Sequence, residues 1–264
     1  MYVFTLRMVA LLTILLTVAL APPTQAAEKE NMSELVNKSG MQRMLSQRIA
    51  KAYFYLGSDI SRKETQLQLD MALERFKKNH DLLKAKVQDS ETSDLLSIVE
   101  QTFSEYQALV NEPYNQENAA RVLELSDTLL EVCHSVVLNI EDQSGAHIDH
   151  IVNIAGKQRM LSQRVSKSYI AYQAGFRDEN NVHKMNNAIE EFESGLKKLM
   201  NEGRNTGEID SQLAKIKKEW ERISPYFLKV HEGGLPLMVL TATDEITKLS
   251  DRVTGLYVDK IAAQ

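Results

Sequence analysis

Two arginines, Arg43 and Arg159, occupy the same position in two copies of the sequence Gln-Arg-Met-Leu-Ser-Gln-Arg. A guanidinium group presents a fork of N–H donors that fits a planar oxyanion or a carboxylate, so two facing arginines can hold a small anion between them. The surrounding sequences, NKSGMQRMLSQRIAKAY at 37–53 and NIAGKQRMLSQRVSKSY at 153–169, also match. The repeated arginines are therefore the first candidates for a binding site.

The duplication extends well beyond this motif. The two copies of the motif are 116 positions apart. At the same shift Phe76 falls on Phe192, and with a slip of one position Asp127 falls near Asp244. Such self-similarity indicates a duplicated structural unit. We expect two domains, residues 27–145 and 146–264.

The motif is amphipathic when placed on a helical wheel. Met41, Leu45 and Ile49 share one apolar face, and Arg48 lies within it. An arginine there is costly to bury without a partner, so we assign Arg48 and its counterpart Arg164 a structural role. Each either lies at the edge of the core or pairs with an acid on a neighbouring helix.

Arg43 and Arg159 lie on the opposite face, among short polar residues such as Ser46 and Ser162. One interpretation is a solvated surface arginine; the other is a helix–helix contact with one arginine from each side and an anion between them. The second gains support because this face is kept in both copies, while Met41 has become a lysine at 157; the residues alone leave both interpretations open.

Apolar residues at spacings of three and four predict an all-α chain. We expect seven helices, near 30–57, 60–88, 91–111, 116–174, 178–202, 208–231 and 236–262. They form two up-down four-helix bundles arranged end to end, which share the long fourth helix. Its weak point is Ser144-Gly145. In that arrangement the two arginines lie on the order of 30 Å apart, so each needs a mate from a second chain, which predicts a homodimer.

The N-terminus has the features of a signal peptide, residues 1–26: a positive charge at Arg7, an apolar run from Val9 to Leu20, and small residues at 24–27. We therefore expect export to the periplasm, with an uncleaved N-terminal anchor as the alternative.

Composition and motifs exclude several functions. A net charge of -5 argues against nucleic-acid binding. No nucleophile motif or phosphate loop is present, so we expect no enzyme and no cofactor. His147 and His150 flank Asp149, but these are too few ligands for a metal site. Cys133 reads as a small buried residue on a helix.

The motif N-x-[AS]-G-x-Q-R-M-L-S-Q-R resembles the P-box of the NarX-type and PilJ-type sensor domains. These are periplasmic input domains of bacterial nitrate sensor kinases and of the type IV pilus methyl-accepting chemotaxis transducer. The resemblance implies a helical bundle that dimerises through its P-box helices. It also implies that the first arginine of the box, here Arg43 and Arg159, grips an anion at that interface.

Other positions of the box are further candidates for contact with a ligand. They are Asn37, Gly40 and Ser46 in the first copy and Asn153, Gly156 and Ser162 in the second. The residues around the arginine differ from those of nitrate boxes, so the anion stays open between nitrate, nitrite and a carboxylate.

We expect a ligand-sensing module that signals through a membrane-bound partner, because the sequence ends at Gln264, after the second bundle. The alternative is a structural or adaptor protein of the envelope that uses the P-box helices only to dimerise.

Overall fold

The computed structural model describes residues 25–144 and 147–262, and within them the chain forms eight α-helices and no β-strand. The helices are α1 (Gln25–Gly57), α2 (Arg62–Lys86), α3 (Ser90–Val110), α4 (Gln116–Ser144), α5 (His147–Gln173), α6 (Glu179–Met200), α7 (Gly207–Leu228) and α8 (Pro236–Ala262). A single 3-10 turn, Val230–Glu232, lies between α7 and α8. The prediction of an all-α chain is confirmed.

Short polar side chains and a glycine fix several helix ends. The Asp89 carboxylate accepts a hydrogen bond from the backbone N–H of Thr92 at 2.7 Å, and Asp178 accepts one from Asn181 at 2.9 Å. These caps satisfy backbone donors that the first turns of α3 and α6 leave unpaired. After α5, Gly175 has a φ of +107°, a conformation that favours glycine at a helix end.

The helices group into two units of four, α1–α4 and α5–α8, with matching cores. In the first unit Phe76 stacks on Phe103 with ring centroids 4.1 Å apart. In the second, Phe192 stacks on Trp220 at 4.0 Å. Phe76 and Phe192 are equivalent in the repeat, so the duplication in sequence is also a duplication in packing.

The two units lie side by side, because the chain reverses direction between α4 and α5. At the start of α4, Gln116 donates from Nε2 to the backbone oxygen of Ala174 at 3.0 Å, just beyond the end of α5. Further along, the Lys167 ammonium lies 2.6 Å from Asp127. In one straight helix, residues 116 and 174 would be about 87 Å apart.

The prediction of bundles placed end to end and sharing one long helix, 116–174, is therefore wrong. The prediction failed because apolar residues recur every three or four positions on both sides of Gly145. That period continues unchanged whether a helix runs on or folds back on itself.

Helices α1 and α5 form the centre of the molecule, where they pack along each other in the same direction. Tyr55 Oη lies 3.5 Å from Ser166 Oγ, an offset of 111 residues, and Arg43 reaches Asn153, an offset of 110. Both offsets are close to the shift of the repeat, so the two motifs lie side by side. The predicted separation of about 30 Å between the two arginines is wrong, because the two boxes pack against each other within one chain.

The predicted signal peptide, residues 1–26, lies outside the described residues except for its last two. None of the helices in the described ranges is both long and apolar enough to cross a membrane.

The reversal of direction between α4 and α5 can be tested by pulsed electron–electron double resonance. We expect spin labels placed at Gln116 and Ala174, in a Cys133→Ser background, to report a separation far below the roughly 87 Å of a straight helix. A distance near that length would show that the fourth helix is continuous.

Candidate functional site

The two P-box arginines are buried where α1 and α5 meet. Arg43 is 1% exposed and Arg159 is fully buried. A Cβ built on Gly40 would lie 3.3 Å from Arg43 Nη2 and 3.6 Å from Arg159 Nη2, so the two guanidiniums are near neighbours. The face that the wheel placed away from the core of its own unit is therefore covered by the other copy of the motif, and neither arginine is a solvated surface residue.

The Arg43 guanidinium is held by two neutral side chains. Its Nη2 donates to Asn153 Oδ1 at 2.6 Å, and its Nη1 lies 3.1 Å from His134 Nδ1. Its Nε is buried and has no hydrogen-bond partner. Among the described residues, no carboxylate lies within ion-pair distance of Arg43. Its charge is compensated only indirectly, because Asn153 Nδ2 donates in turn to Glu141.

The Arg159 guanidinium, in contrast, has its own carboxylate. Its Nη1 lies 2.6 Å from Asp251 Oδ1. Its Nη2 donates to the backbone oxygen of Asn37 at 3.4 Å, and its Nε to the backbone oxygen of Gly156 at 3.5 Å. The second arginine is therefore neutralised directly, whereas the first is not.

An approximate twofold relation connects these contacts. Each arginine crosses the α1–α5 interface to the asparagine of the other box, Arg43 to Asn153 and Arg159 to Asn37. Each also contacts the last helix of its own unit, at a position where the slipped register of the repeat matches His134 with Asp251. Two departures from symmetry remain: Arg43 bonds to the side chain of Asn153 but Arg159 to the backbone of Asn37, and the last helix supplies an imidazole in one copy and a carboxylate in the other.

The glycines of the box make room for the guanidiniums. A Cβ on Gly156 would lie 3.0 Å from Arg159 Nη2, and one on Gly40 would lie 3.3 Å from Arg43 Nη2. That spacing is tighter than ordinary van der Waals contact, so a side chain at either position would displace a guanidinium. The sequence alone did not reveal this role of the glycines.

The serines of the box lie apart from the guanidiniums and bond to helical backbone instead. Ser46 Oγ donates to the backbone oxygen of Arg43 at 2.8 Å, and Ser162 Oγ does the same to Arg159 at 2.9 Å. Of the predicted site residues, the fold thus brings together the arginines, asparagines and glycines, and places both serines one turn away.

Burial and mutual repulsion set the protonation of this cluster. Burial, and then the nearby charge of Arg159, lower the pKa of Arg43 to about 10. Burial and the neighbouring Arg43 lower the pKa of His134 to about 4. At neutral pH, Arg43 is therefore charged and His134 is neutral.

A second layer of buried charge lies further along the same two helices, and sequence reasoning did not find it. Lys51 on α1 pairs with Asp244 on α8, and Lys167 on α5 pairs with Asp127 on α4, each at 2.6 Å. Each lysine thus takes its carboxylate from the other unit. A signal was available, since both lysines stand at one motif position and the two aspartates match in the repeat.

The arginines assigned a structural role lie beside this layer. Arg48 Nη2 forms an ion pair with Asp244 at 3.1 Å, which is a pairing with an acid on a neighbouring helix. Its counterpart Arg164 is half-buried and lines a groove together with Asp127.

Two surface grooves lead to the partners of the P-box arginines. A groove of about 410 Å³ between α4, α5 and α6, here called the His134 groove, is lined by His134, Asn153, Lys157 and Gln158 among others. A groove of about 600 Å³ between α1, α2, α7 and α8 contains Asp251. Each partner position is therefore reached from solvent through a groove.

Among the side chains that the structure describes, the remaining chemistry-bearing residues form no further site; those of His147 and Asp149 lie outside them. Cys133 is buried on α4. No three histidine, cysteine or acidic side chains of the described residues come together as a metal site would require.

A comparison with protein families gives a match. The family model described as PilJ, type IV pili methyl-accepting chemotaxis transducer N-term, matches residues 25–130 and 144–245. Those two ranges carry one copy of the motif each, and together they cover most of the chain. No curated protein and no solved structure gives a significant match.

The acid sensitivity of the fold tests the buried charge layer. Burial acts to raise the pKa of Asp127, but the ion pairs with Lys167 and Lys184 outweigh it and lower that pKa from 3.8 to about 2. Between those values the unfolded chain binds more protons than the folded one, so stability falls as the pH falls. From pH 4 to pH 2 we expect Asp127 to account for a loss of about 2 kcal/mol in the free energy of unfolding.

Urea unfolding at both pH values would measure this effect. Asp127→Asn should show a smaller acid-induced loss than the parent protein, while Asp59→Asn, at a carboxylate that is 80% exposed, should leave it unchanged. Equal acid dependence in the two variants would contradict the assignment.

Proposed function

The chain belongs to the PilJ family of type IV pili methyl-accepting chemotaxis transducer N-terminal domains, and we propose that it is a periplasmic sensor module that binds a small oxyanion at Arg43. One observation carries this proposal. Two guanidiniums are buried side by side, and Asp251 is the only carboxylate of the described residues in direct contact with either.

The energetics of burial support an anion at this position. A buried cation is costly unless it is paired and hydrogen-bonded. Arg43 has only neutral side chains as direct partners, and one of its donors is unused. An oxyanion would supply the missing charge and could accept from the fork of the guanidinium.

The position of the site also suits a sensor. Arg43 lies on α1, His134 on α4 and Asn153 on α5, so a ligand there contacts helices of both units. A ligand shifts a conformational equilibrium only through different contacts in its two states. An anion that changes how α1 and α5 pack would provide such a difference, and a partner protein would receive the resulting shift. The predicted signal peptide supports the periplasmic location.

The alternative function, an envelope adaptor that dimerises through its P-box helices, has less support. The arginine-bearing faces of α1 and α5 already cover each other within one chain. A second chain would have to bind elsewhere. A homodimer is not needed to pair the P-box helices, because the two helices of one chain pair with each other.

Isothermal titration of the exported, purified protein with nitrate, nitrite and acetate tests the proposal. We expect at least one of these anions to bind, and Arg43→Met to weaken that binding about tenfold or more, because a charge-assisted hydrogen bond is lost. Arg62→Met removes an exposed arginine and serves as the matched control. Binding that is equally strong in both variants, or no binding of any of the three anions, would refute an anion site at Arg43.

A further inference from the structure

The two boxes of this chain are not equivalent as binding sites. Around Arg159 the site is complete, because the Asp251 carboxylate lies 2.6 Å from Nη1 and is supplied by the protein itself. Around Arg43 the corresponding position holds His134, whose Nδ1 lies 3.1 Å from Nη1. Comparing the two boxes therefore shows what the first box lacks, which is a carboxylate beside the arginine.

The Asp251 side chain shows which chemical group fits. It brings a single carboxylate, on a carbon stem that enters from the side of α8, against one terminal nitrogen of the guanidinium. In the first box the imidazole is a weaker partner, because a neutral acceptor forms a weaker bond to a guanidinium than a carboxylate does. A carboxylate that entered beside α4 could therefore displace the imidazole from Arg43 Nη1.

His134 is also suited to receive such a carboxylate. The guanidinium can only donate, so Nδ1 of His134 must accept, and the proton of the neutral ring is on Nε2. His134 lines the His134 groove, so a ligand bound in this groove would contact its imidazole. The exchange would replace the neutral imidazole at Arg43 Nη1 by a charged carboxylate. The Nε2–H of His134 would then serve as a second donor to that carboxylate.

The His134 groove has room and polar groups for more than a bare anion. Its volume is about 410 Å³. Gln158, in its wall, is 1% exposed, and its Oε1 is buried with no hydrogen-bond partner. Gly195 leaves the space that this glutamine occupies, since a Cβ there would lie 2.2 Å from Gln158 Nε2. An organic substituent could fill the groove and could donate a hydrogen bond to Gln158 Oε1, whereas nitrate is too small for the groove and has no donor.

We propose that the first box binds one small organic carboxylate per chain, in the position that the Asp251 carboxylate occupies permanently in the second. This inference rests on the proposed anion site at Arg43 and specifies its ligand class and stoichiometry. The second box is a closed site, and the ligand enters through the His134 groove.

Exchanging the two partner residues tests the inference, with acetate, succinate and nitrate as probes at constant ionic strength. The parent protein should bind one equivalent of a carboxylate and bind nitrate more weakly. His134→Asp should bind the carboxylate at least tenfold more weakly, because its own carboxylate fills the site. Asp251→His should bind two equivalents.

Thermal unfolding without ligand provides a second readout. His134→Asp should melt higher than the uncharged control His134→Asn, by roughly 2–4 °C, because it supplies Arg43 with a carboxylate. If Asp251→His does not fold, the two His134 variants still decide the question. A Tm for His134→Asp no higher than that of His134→Asn would overturn the inference.

The outcomes also separate this inference from the proposed function. If Arg43→Met abolishes binding but the partner exchanges change neither affinity nor stoichiometry, the anion site stands and the internal-carboxylate inference fails. Two equivalents bound by the parent protein, or tighter binding of nitrate than of either carboxylate, would also overturn it. If the parent binds no probe, the proposed function fails, and the inferred ligand fails with it.

Discussion

Four cationic side chains are buried along the contact between α1 and α5: Arg43, Lys51, Arg159 and Lys167. A buried cation without compensation costs several kcal/mol, and most of the compensation here crosses between the two units. Each lysine pairs with an aspartate of the other unit, and each arginine reaches the asparagine position of the other box. Separating the units would leave both lysines without their carboxylates and would remove the asparagine contacts of both arginines, so we regard the duplicated chain as one cooperative structure.

This exchange of partners explains why the motif is rich in polar residues on a face that turns out to be buried. The glycines leave space for the guanidiniums, and the serines bond to their own helices. Against this nearly symmetric background, the proposed anion site depends on one difference: His134 stands in the first box where Asp251 stands in the second. One box is neutralised by the protein itself, and the other keeps a charged guanidinium whose hydrogen-bond partners are neutral, beside a groove.

Much of this arrangement could be predicted from the sequence, because helical periodicity and repetition are local signals. They gave the all-α fold, the duplication, and the faces on which Arg43 and Arg48 lie. The opposite directions of α4 and α5 could not be predicted, since an unbroken period does not reveal whether the chain reverses. The direct partners His134 and Asp251 were missed because the wheel shows which face is presented but not which helix covers it.

The central claim is that the two boxes mate within one chain, and a nuclear Overhauser measurement tests it most directly. Isotope-labelled protein would be diluted into an excess of unlabelled protein. We expect the cross-peak between the Arg43 guanidinium and the Asn153 side-chain amide to arise within the labelled chain and to be missing from the filtered spectrum that selects contacts between chains. A cross-peak seen only in that filtered spectrum would show that the arginines mate between chains, and would contradict this account.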